Sequence, residues 1–308
     1  MSDRTTPPRP IPIAILGTQS AIAQHTADLV DDPRVVLVAD LADAAAVIVD
    51  APASAREAVI GSSLRDGKHV FAALPIATSA QETQELLTLA TEHQRLLVVD
   101  QPARHDHSYD RVAFTVAQGE LGQIATIRTW RTIAPYPTTD GDLIDTALIQ
   151  DLDALIDVFG EVARVHAHQA VSAPDRPRQE FVAASLRFVS GAVGHIEARL
   201  SHATPRTAIE VTAQHGMLSF DSDAASTLRI ERTGEIGRTV TRPAVRSASQ
   251  RGLDAFLTRL VAGETGTDRA EQIVHTATVR DTIRASIATQ RPIALSAFTP
   301  TITLETAR

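Results

Sequence analysis

The sequence predicts an α/β protein in two parts. A doubly wound parallel sheet comes first, and an α+β domain with a large, mostly antiparallel sheet follows. Three observations lead there. Up to about residue 102, short β-branched runs alternate with helix-like segments of about 12 residues, the pattern of parallel strands joined by crossover helices. Beyond that point strands follow one another through short polar connections, with Gly191, Gly216 and Gly234 at the expected turns. The chain has 308 residues, about two domains at ~150 residues each.

Residues 1–10 contain several prolines and an acid, Asp3, but no apolar run, so they read as a flexible lead-in and not a secretory signal. The cytoplasm is the compartment expected from that reading. Residues 13–16 form the first apolar run and end at Gly17; 21–30 follow with helical spacing. The next two runs, 35–39 and 46–49, stand only a few residues apart. A parallel crossover with its helix needs at least ~10–12 residues, so one strand-helix unit of the usual pattern is missing. Helix 53–65, strand 69–72, helix 79–92 and strand 96–99 complete the first sheet. A helix over 109–118 closes the first domain, 11–118. The second, 119–308, opens with a strand at 124–131 and a helix at 143–159. Strands at 163–171, 181–189, 192–200, 208–213, 217–221 and 228–232 come next, then helices at 253–262 and 269–289.

Composition narrows the function. Apolar residues make up 44% and charged residues 21%, as in an ordinary globular core, and no apolar run reaches the ~18 residues of a membrane span. The net charge of −8 is spread along the chain, against a nucleic-acid or anionic-membrane surface. With no cysteine, disulfides, thiolate metal sites and cysteine nucleophiles are excluded. Lys68 is the only lysine.

Five landmarks keep a definite order. They are Gly67-Lys68-His69-Val70 running into Leu74-Pro75, Gly119-Glu120-Leu121-Gly122, Gln150-Asp151-Leu152-Asp153, Ser190-Gly191-Ala192-Val193-Gly194, and His215-Gly216-Met217-Leu218-Ser219-Phe220-Asp221. In that order and spacing, over about residues 11–295, the chain resembles the Gfo/Idh/MocA family. The resemblance implies a Rossmann-like dinucleotide-binding domain coupled to a sugar- or polyol-binding one. It also implies NAD(P)-dependent redox of an alcohol or carbonyl, and a homo-oligomer, dimer or tetramer, formed through the broad second sheet.

The residues meet that pattern incompletely. A dinucleotide fingerprint places glycines at G-x-G-x-x-G between first strand and first helix. Here the stretch is Gly17-Thr18-Gln19-Ser20-Ala21-Ile22. Gly17 can make the tight turn, but Gln19 stands where backbone should approach a pyrophosphate, and Ile22 where a glycine lets helix and strand pack closely. Asp40 stands about where an acid would hold ribose hydroxyls; it also reads as an acid closing a strand. Pro52, in Ala51-Pro52-Ala53, matches the family loop flanking the nicotinamide ribose. The cofactor, if any binds, is NAD or NADP.

Oxidising a carbinol requires a base for the hydroxyl proton and gains from a nearby cation. The resemblance implies a lysine in a Glu-Lys-Pro turn and an aspartate and a histidine one helical turn apart. Those positions hold Leu74, Thr146 and Gln150, all uncharged. Asp145 adjoins Thr146 but is rotated by about 100° on a regular helix. Relocated acid–base candidates are Arg104, His105 and His107; the same Arg-His-Asp-His stretch also reads as a polar helix start capped by Asp106 or Ser108. Arg104, His105, Trp130, Gln150 and Asp153 are the candidate contacts to a small polar substrate. Trp130 also reads as packing, and Asp153 as a helix-surface pair. His166 and His168 share a strand face without an evident third ligand, so no metal is expected. The leading expectation is a catalytically silent or strongly diverged homologue binding a sugar- or polyol-like molecule or a partner subunit. The alternative is an active NAD(P)-dependent oxidoreductase with relocated acid–base groups.

Overall fold

The computed structural model describes residues 9–105, 107–134, 142–172, 180–201, 204–222, 227–232, 235–240 and 246–295. Residues 1–8 of the lead-in, the Asp106 cap and the Gly234 turn lie outside the described residues. The chain divides into two compact units. The first comprises Met1–Thr78, Glu82–Pro102 and Arg246–Ala270; the second comprises Ser79–Gln81, Ala103–Val245 and Glu271–Arg308. This differs from the expected boundary at 118. The helix after Pro102 belongs to the second unit, and a segment from far along the chain returns to the first.

The first unit is a five-stranded parallel sheet, β1 (Ile11–Gly17), β2 (Val35–Leu37), β3 (Ala46–Asp50), β4 (His69–Ala73) and β5 (Leu97–Asp100), in the order β2-β1-β3-β4-β5. α1 (Gln19–Leu29) connects β1 to β2, α2 (Ala53–Arg65) connects β3 to β4, and α3 (Ala80–Glu92) precedes β5. Between β2 and β3 there is only a 3-10 turn, Leu41–Asp43, as the short spacing requires. β3 is buried at four of its five positions, which explains its unbroken β-branched run. Ile13, Ile48 and Phe71 of this sheet, with Leu96 just before β5, form one core with Leu253, Phe256 and Leu257. Those three residues belong to a helix that begins at Ala248, several residues before the expected 253. A capping box between Ser247 and Gln250 sets its start.

The second unit begins with α4 (His107–Ala117) and β6 (Ile124–Ile133), and continues through α5 (Ile149–Phe159). β7 (Val162–Val171), β8 (Glu180–Phe188), β9 (Val193–Leu200), β10 (Arg206–Ala213), β11 (Gly216–Asp221), β12 (Thr227–Arg232) and β13 (Glu235–Val240) follow. The returning helix of the first unit is α6 (Ala248–Val261), and α7 (Ala270–Thr289) and β14 (Ile293–Ala294) end the described chain. The sheet order is β13-β12-β11-β10-β6-β9-β8-β7-β14, antiparallel except where β6 lies parallel to β9. β13 and β14 are additions to the expected strands. One face of this sheet, with Ile127, Val165, Val182, Ile196, Val211 and Leu218, packs into a core with Leu152 and Leu155 of α5 and Val279 and Ile283 of α7.

Candidate functional site

In an open parallel sheet, ligands bind beyond the carboxyl ends of the strands, where the strand order reverses. In the first unit the chain leaves β1 for β2 on one side and reaches β3 on the other, so the reversal lies between β1 and β3. Gly17 and Asp50 are register partners there. A Cβ on Gly17 would stand 2.6 Å from the Asp50 carbonyl oxygen, so the glycine is required by the neighbouring backbone. α1 begins immediately afterwards. Its cap residue Thr18 accepts the Ala21 amide on Oγ1 at 3.3 Å, and the Ile22 amide donates to the Thr18 carbonyl. Helix geometry leaves the amides of Gln19 and Ser20 as the remaining donors at this terminus.

The structure corrects the reading of Ile22. Its side chain is 38% exposed, so it does not wedge helix from strand. The residue facing the strand is Ala21, whose Cβ lies 3.4 Å from the position of a Gly17 Cβ. Close packing is therefore kept with a methyl group. Gln19 is exposed at the first position of α1. Asp40 caps the 3-10 turn through the Ala42 amide at 2.8 Å and is otherwise exposed, while Pro52 opens α2.

Behind this edge lies a charged group that sequence reasoning did not single out. Asp50 and Asp100 end β3 and β5, and Ala73, which ends the intervening β4, is the register partner of Asp100. Buried His25 of α1 places Nε2 3.3 Å from Asp50 Oδ2. That contact holds the Asp50 carboxyl below the usual carboxylate range, against the opposing effect of burial. Asp100 is pushed up to about 7 by burial, with His25 opposing and Asp50 reinforcing the shift. Asp100 Oδ1 and His25 Nδ1 are buried without a hydrogen-bond partner among the described residues. Arg56, also buried, donates to the carbonyls of Ala51 at 2.8 Å, Ala73 at 3.2 Å and Pro75 at 2.6 Å. It thus pins the loop before Pro52 to the Leu74-Pro75 turn. Lys68 is spent at the opposite edge of the sheet, where Nζ donates to the Ala44 carbonyl at 2.9 Å. Leu74 is buried and apolar.

In the second unit, Thr146 and Gln150 are half-buried at the junction of a π-helical turn, Ile144–Leu148, with α5. The regular 100° rotation assumed for Asp145 therefore does not apply there. Asp145 is nevertheless committed, to Arg284 at 2.8 Å. Thr146 Oγ1 donates to the Asp142 carbonyl. Arg104 and Asp153 are brought together: Arg104 Nε and Nη2 donate to the carboxylate at 2.6 and 3.0 Å, and Thr276 Oγ1 donates at 3.0 Å. Asp153 is 1% exposed, and burial raises its affinity for a proton while Arg104 opposes that. The pair holds α5, and a guanidinium is no base, so the structure argues against Arg104 as a relocated acid–base group. His105 ends a short 3-10 segment, half-buried; His107 opens α4.

Trp130 does not join this set. Its neighbour Arg131 reaches Asp151 of α5 at 2.8 Å, so by strand alternation Trp130 points to the other face of the sheet, with the Arg128 guanidinium 5.2 Å from its ring centre. Trp130 thus stands on the sheet face opposite the one that meets α5. His166 and His168 meet edge to face with ring centres 4.5 Å apart, and no group of three metal-ligating side chains occurs among the described residues.

The missed residues left a faint trace. Both acids end an apolar run, in Val47-Ile48-Val49-Asp50 and Leu97-Val98-Val99-Asp100. A strand-terminal acid usually meets water, however, and nothing local reports that His25 would face these two.

Comparison with known proteins agrees with the architecture. The model of an oxidoreductase family's NAD-binding Rossmann fold, GFO/IDH/MocA, matches residues 12–101, and that of the GFO/IDH/MocA C-terminal domain matches residues 109–219. A dTDP-3,4-didehydro-2,6-dideoxy-alpha-D-glucose 3-reductase of Actinomadura kijaniata is 30% identical over 200 residues, covering 64% of this chain and 55% of that protein. The uncharacterized oxidoreductase YrbE of Bacillus subtilis is 25% identical over 214 residues, covering 66% and 60%. The chain thus matches somewhat more than half the length of these relatives. Among solved structures, an oxidoreductase from Agrobacterium radiobacter in complex with NAD+, L-tartaric acid and magnesium superposes with a TM-score of 0.80 at 14% identity, covering 94% of this chain and 99% of that one. KijD10, a 3-ketoreductase from Actinomadura kijaniata in complex with NADP, gives 0.77 at 20% identity, covering 90% and 98%. At these identities the likeness is one of fold.

Proposed function

The chain belongs to the GFO/IDH/MocA oxidoreductase family, and from that premise we propose that it binds a nicotinamide dinucleotide and acts on a small sugar- or polyol-like molecule with relocated acid–base groups. The observation that carries this reading is the intact entry to α1. Gly17 makes the turn, Ala21 packs on the strand, and the Gln19 and Ser20 amides are left as donors for a phosphate. The orphaned buried atoms of His25 and Asp100 beneath the same edge also fit a polar ligand. Asp40 would take ribose hydroxyls, and Pro52, held by Arg56 through Ala51, would flank the nicotinamide ribose. The dinucleotide, when bound, supplies hydride transfer.

On the substrate side, Gln150 and His105 remain the candidates for orienting hydroxyl groups, whereas Arg104 and Asp153 hold each other. A sugar-like substrate agrees with the name of the Actinomadura relative. The second reading is a catalytically silent homologue, favoured by the uncharged Leu74, Thr146 and Gln150. We further propose that the chain forms a homo-oligomer through the second unit's open sheet face.

Equilibrium titration with NADH and NADPH, followed by fluorescence, tests the first step. Micromolar affinity for either is expected, and no binding at millimolar concentration overturns the proposal. Turnover of a polyol and sugar panel by the loaded protein separates the two readings, because the silent homologue binds without converting.

A further inference from the structure

Resting on the dinucleotide reading above, the geometry of the carboxyl edge points to a preference for one redox form of the cofactor. We propose that the His25–Asp50–Asp100 cluster makes this edge favour the oxidised nicotinamide, whose ring is cationic, over the neutral reduced ring. Asp50 and Asp100 are the last residues of β3 and β5; Ala73, the last residue of the intervening β4, is the register partner of Asp100 and directly follows Ala72, the partner of Val49. Asp50 belongs to the strand pair where the sheet order reverses, and its side chain is 38% exposed there. A ligand at that position meets a carboxylate directly. Asp100 stands behind it, 7% exposed, with Oδ1 unpartnered.

Charge decides the direction. Oxidised and reduced nicotinamide dinucleotides differ by one positive charge on the ring, so net negative charge beneath the edge binds the oxidised form more tightly. The charged and titratable groups facing Asp100 are His25 from α1 and Asp50 from β3; Arg56 from α2 faces Asp50, and β4 contributes only Ala73. Contact with His25 keeps Asp50 ionised, and Asp100 is the carboxyl whose burial brings its ionisation to near neutrality. Its proton is held up to about pH 7. As pH rises through that value the Asp100 carboxylate adds one negative charge to the edge. The discrimination therefore grows with pH, and by reciprocity the oxidised dinucleotide makes Asp100 a stronger acid when it binds.

Calorimetric titration with NAD+ and NADH, and likewise NADP+ and NADPH, at pH 6 and pH 8.5 tests this. The ratio of the reduced-form Kd to the oxidised-form Kd should rise by about tenfold between the two pH values, the order of magnitude for one added charge about 10 Å away at a protein surface. In Asp100→Asn the ratio should not change with pH. Three results overturn the inference while leaving the dinucleotide reading in place: a pH-independent ratio in the native chain, a pH step that survives Asp100→Asn, or a step abolished only by His25→Gln. Failure of all four dinucleotides to bind overturns both.

Discussion

Asp100 shows how one buried carboxyl can shape the stability of a whole unit. In the unfolded chain it ionises at the ordinary value of 3.8; in the folded unit it ionises at about 7. Between these values the folded state holds a proton that the unfolded state has released, so stability falls as pH rises from about 4 to 7 and stays lower above that. The difference corresponds to about 4 kcal/mol, an order-of-magnitude figure at about 1.4 kcal/mol per pH unit. Asp100→Asn should therefore stabilise the protein at pH 8 and change it little at pH 4, measured by urea unfolding at both. Asp50 has the opposite sign: its contribution is complete above about 4 and is lost as pH falls through its depressed value. Arg104 makes a different prediction. Asp153 is 1% exposed, and Arg104→Ala would strand its charge, at a cost of about 3–5 kcal/mol. Thermal denaturation should show that loss directly, whereas a purely catalytic arginine would leave the melting temperature unchanged. Little of this was legible in the sequence. Motif positions pointed to Gly17 and Leu74, because spacing along the chain is what a motif records. It does not record which side chains meet beneath a sheet.

At the level of elements, the periodic segments of the first unit could be read from the sequence and the ownership of α6 could not. Runs such as Ala46–Asp50 are buried on both faces, so their composition alone identifies them. The missing strand-helix unit was equally plain, since the few residues between β2 and β3 hold only a 3-10 turn. Two short strands escaped notice: β14 has two residues and takes its register from β7, not from its own pattern. The π turn before α5 was invisible for a related reason, since apolar spacing cannot separate one wide turn from an α-helix. α6 follows the antiparallel strands in sequence yet packs on the parallel sheet, with the Phe256 ring 5.5 Å from that of Phe71. Its amphipathic spacing says that it buries a face, not which sheet receives it. Phe256 is fully buried, so Phe256→Ala should cost about 3–5 kcal/mol. The loss should appear as faster hydrogen exchange in β1, β3 and β4, with β7 to β9 unaffected. Equal effects on both sheets would reject the assignment of α6 to the first unit.

For the molecule as a whole, the remaining question is what covers the second unit's open sheet face. Alternation places Arg128 and Trp130 of β6, Val193, His195 and Arg199 of β9, and Arg187 of β8 on the side away from α5. The chain carries −8 overall, yet this part of its surface is rich in arginine. Arg164 and Arg187 are register partners and both exposed, an arrangement that is unfavourable between strands unless something compensates it. Val193 is 39% exposed beside them. Glu197 of β9 already pairs with Arg199, and Glu210 of β10 is the register partner of Arg128, so a second copy would cover the apolar surface around Trp130 and Val193 and supply acidic side chains for Arg164 and Arg187. Sedimentation velocity at tens of micromolar should then give at least a dimer. Trp130→Ala should weaken association by about 30-fold, the effect of losing an interface anchor worth about 2 kcal/mol. Unchanged far-ultraviolet circular dichroism would confirm that the sheet itself survives the substitution. A native chain that sediments only as monomer at that concentration would leave the face to solvent and reject the oligomer, without touching the argument for the dinucleotide site.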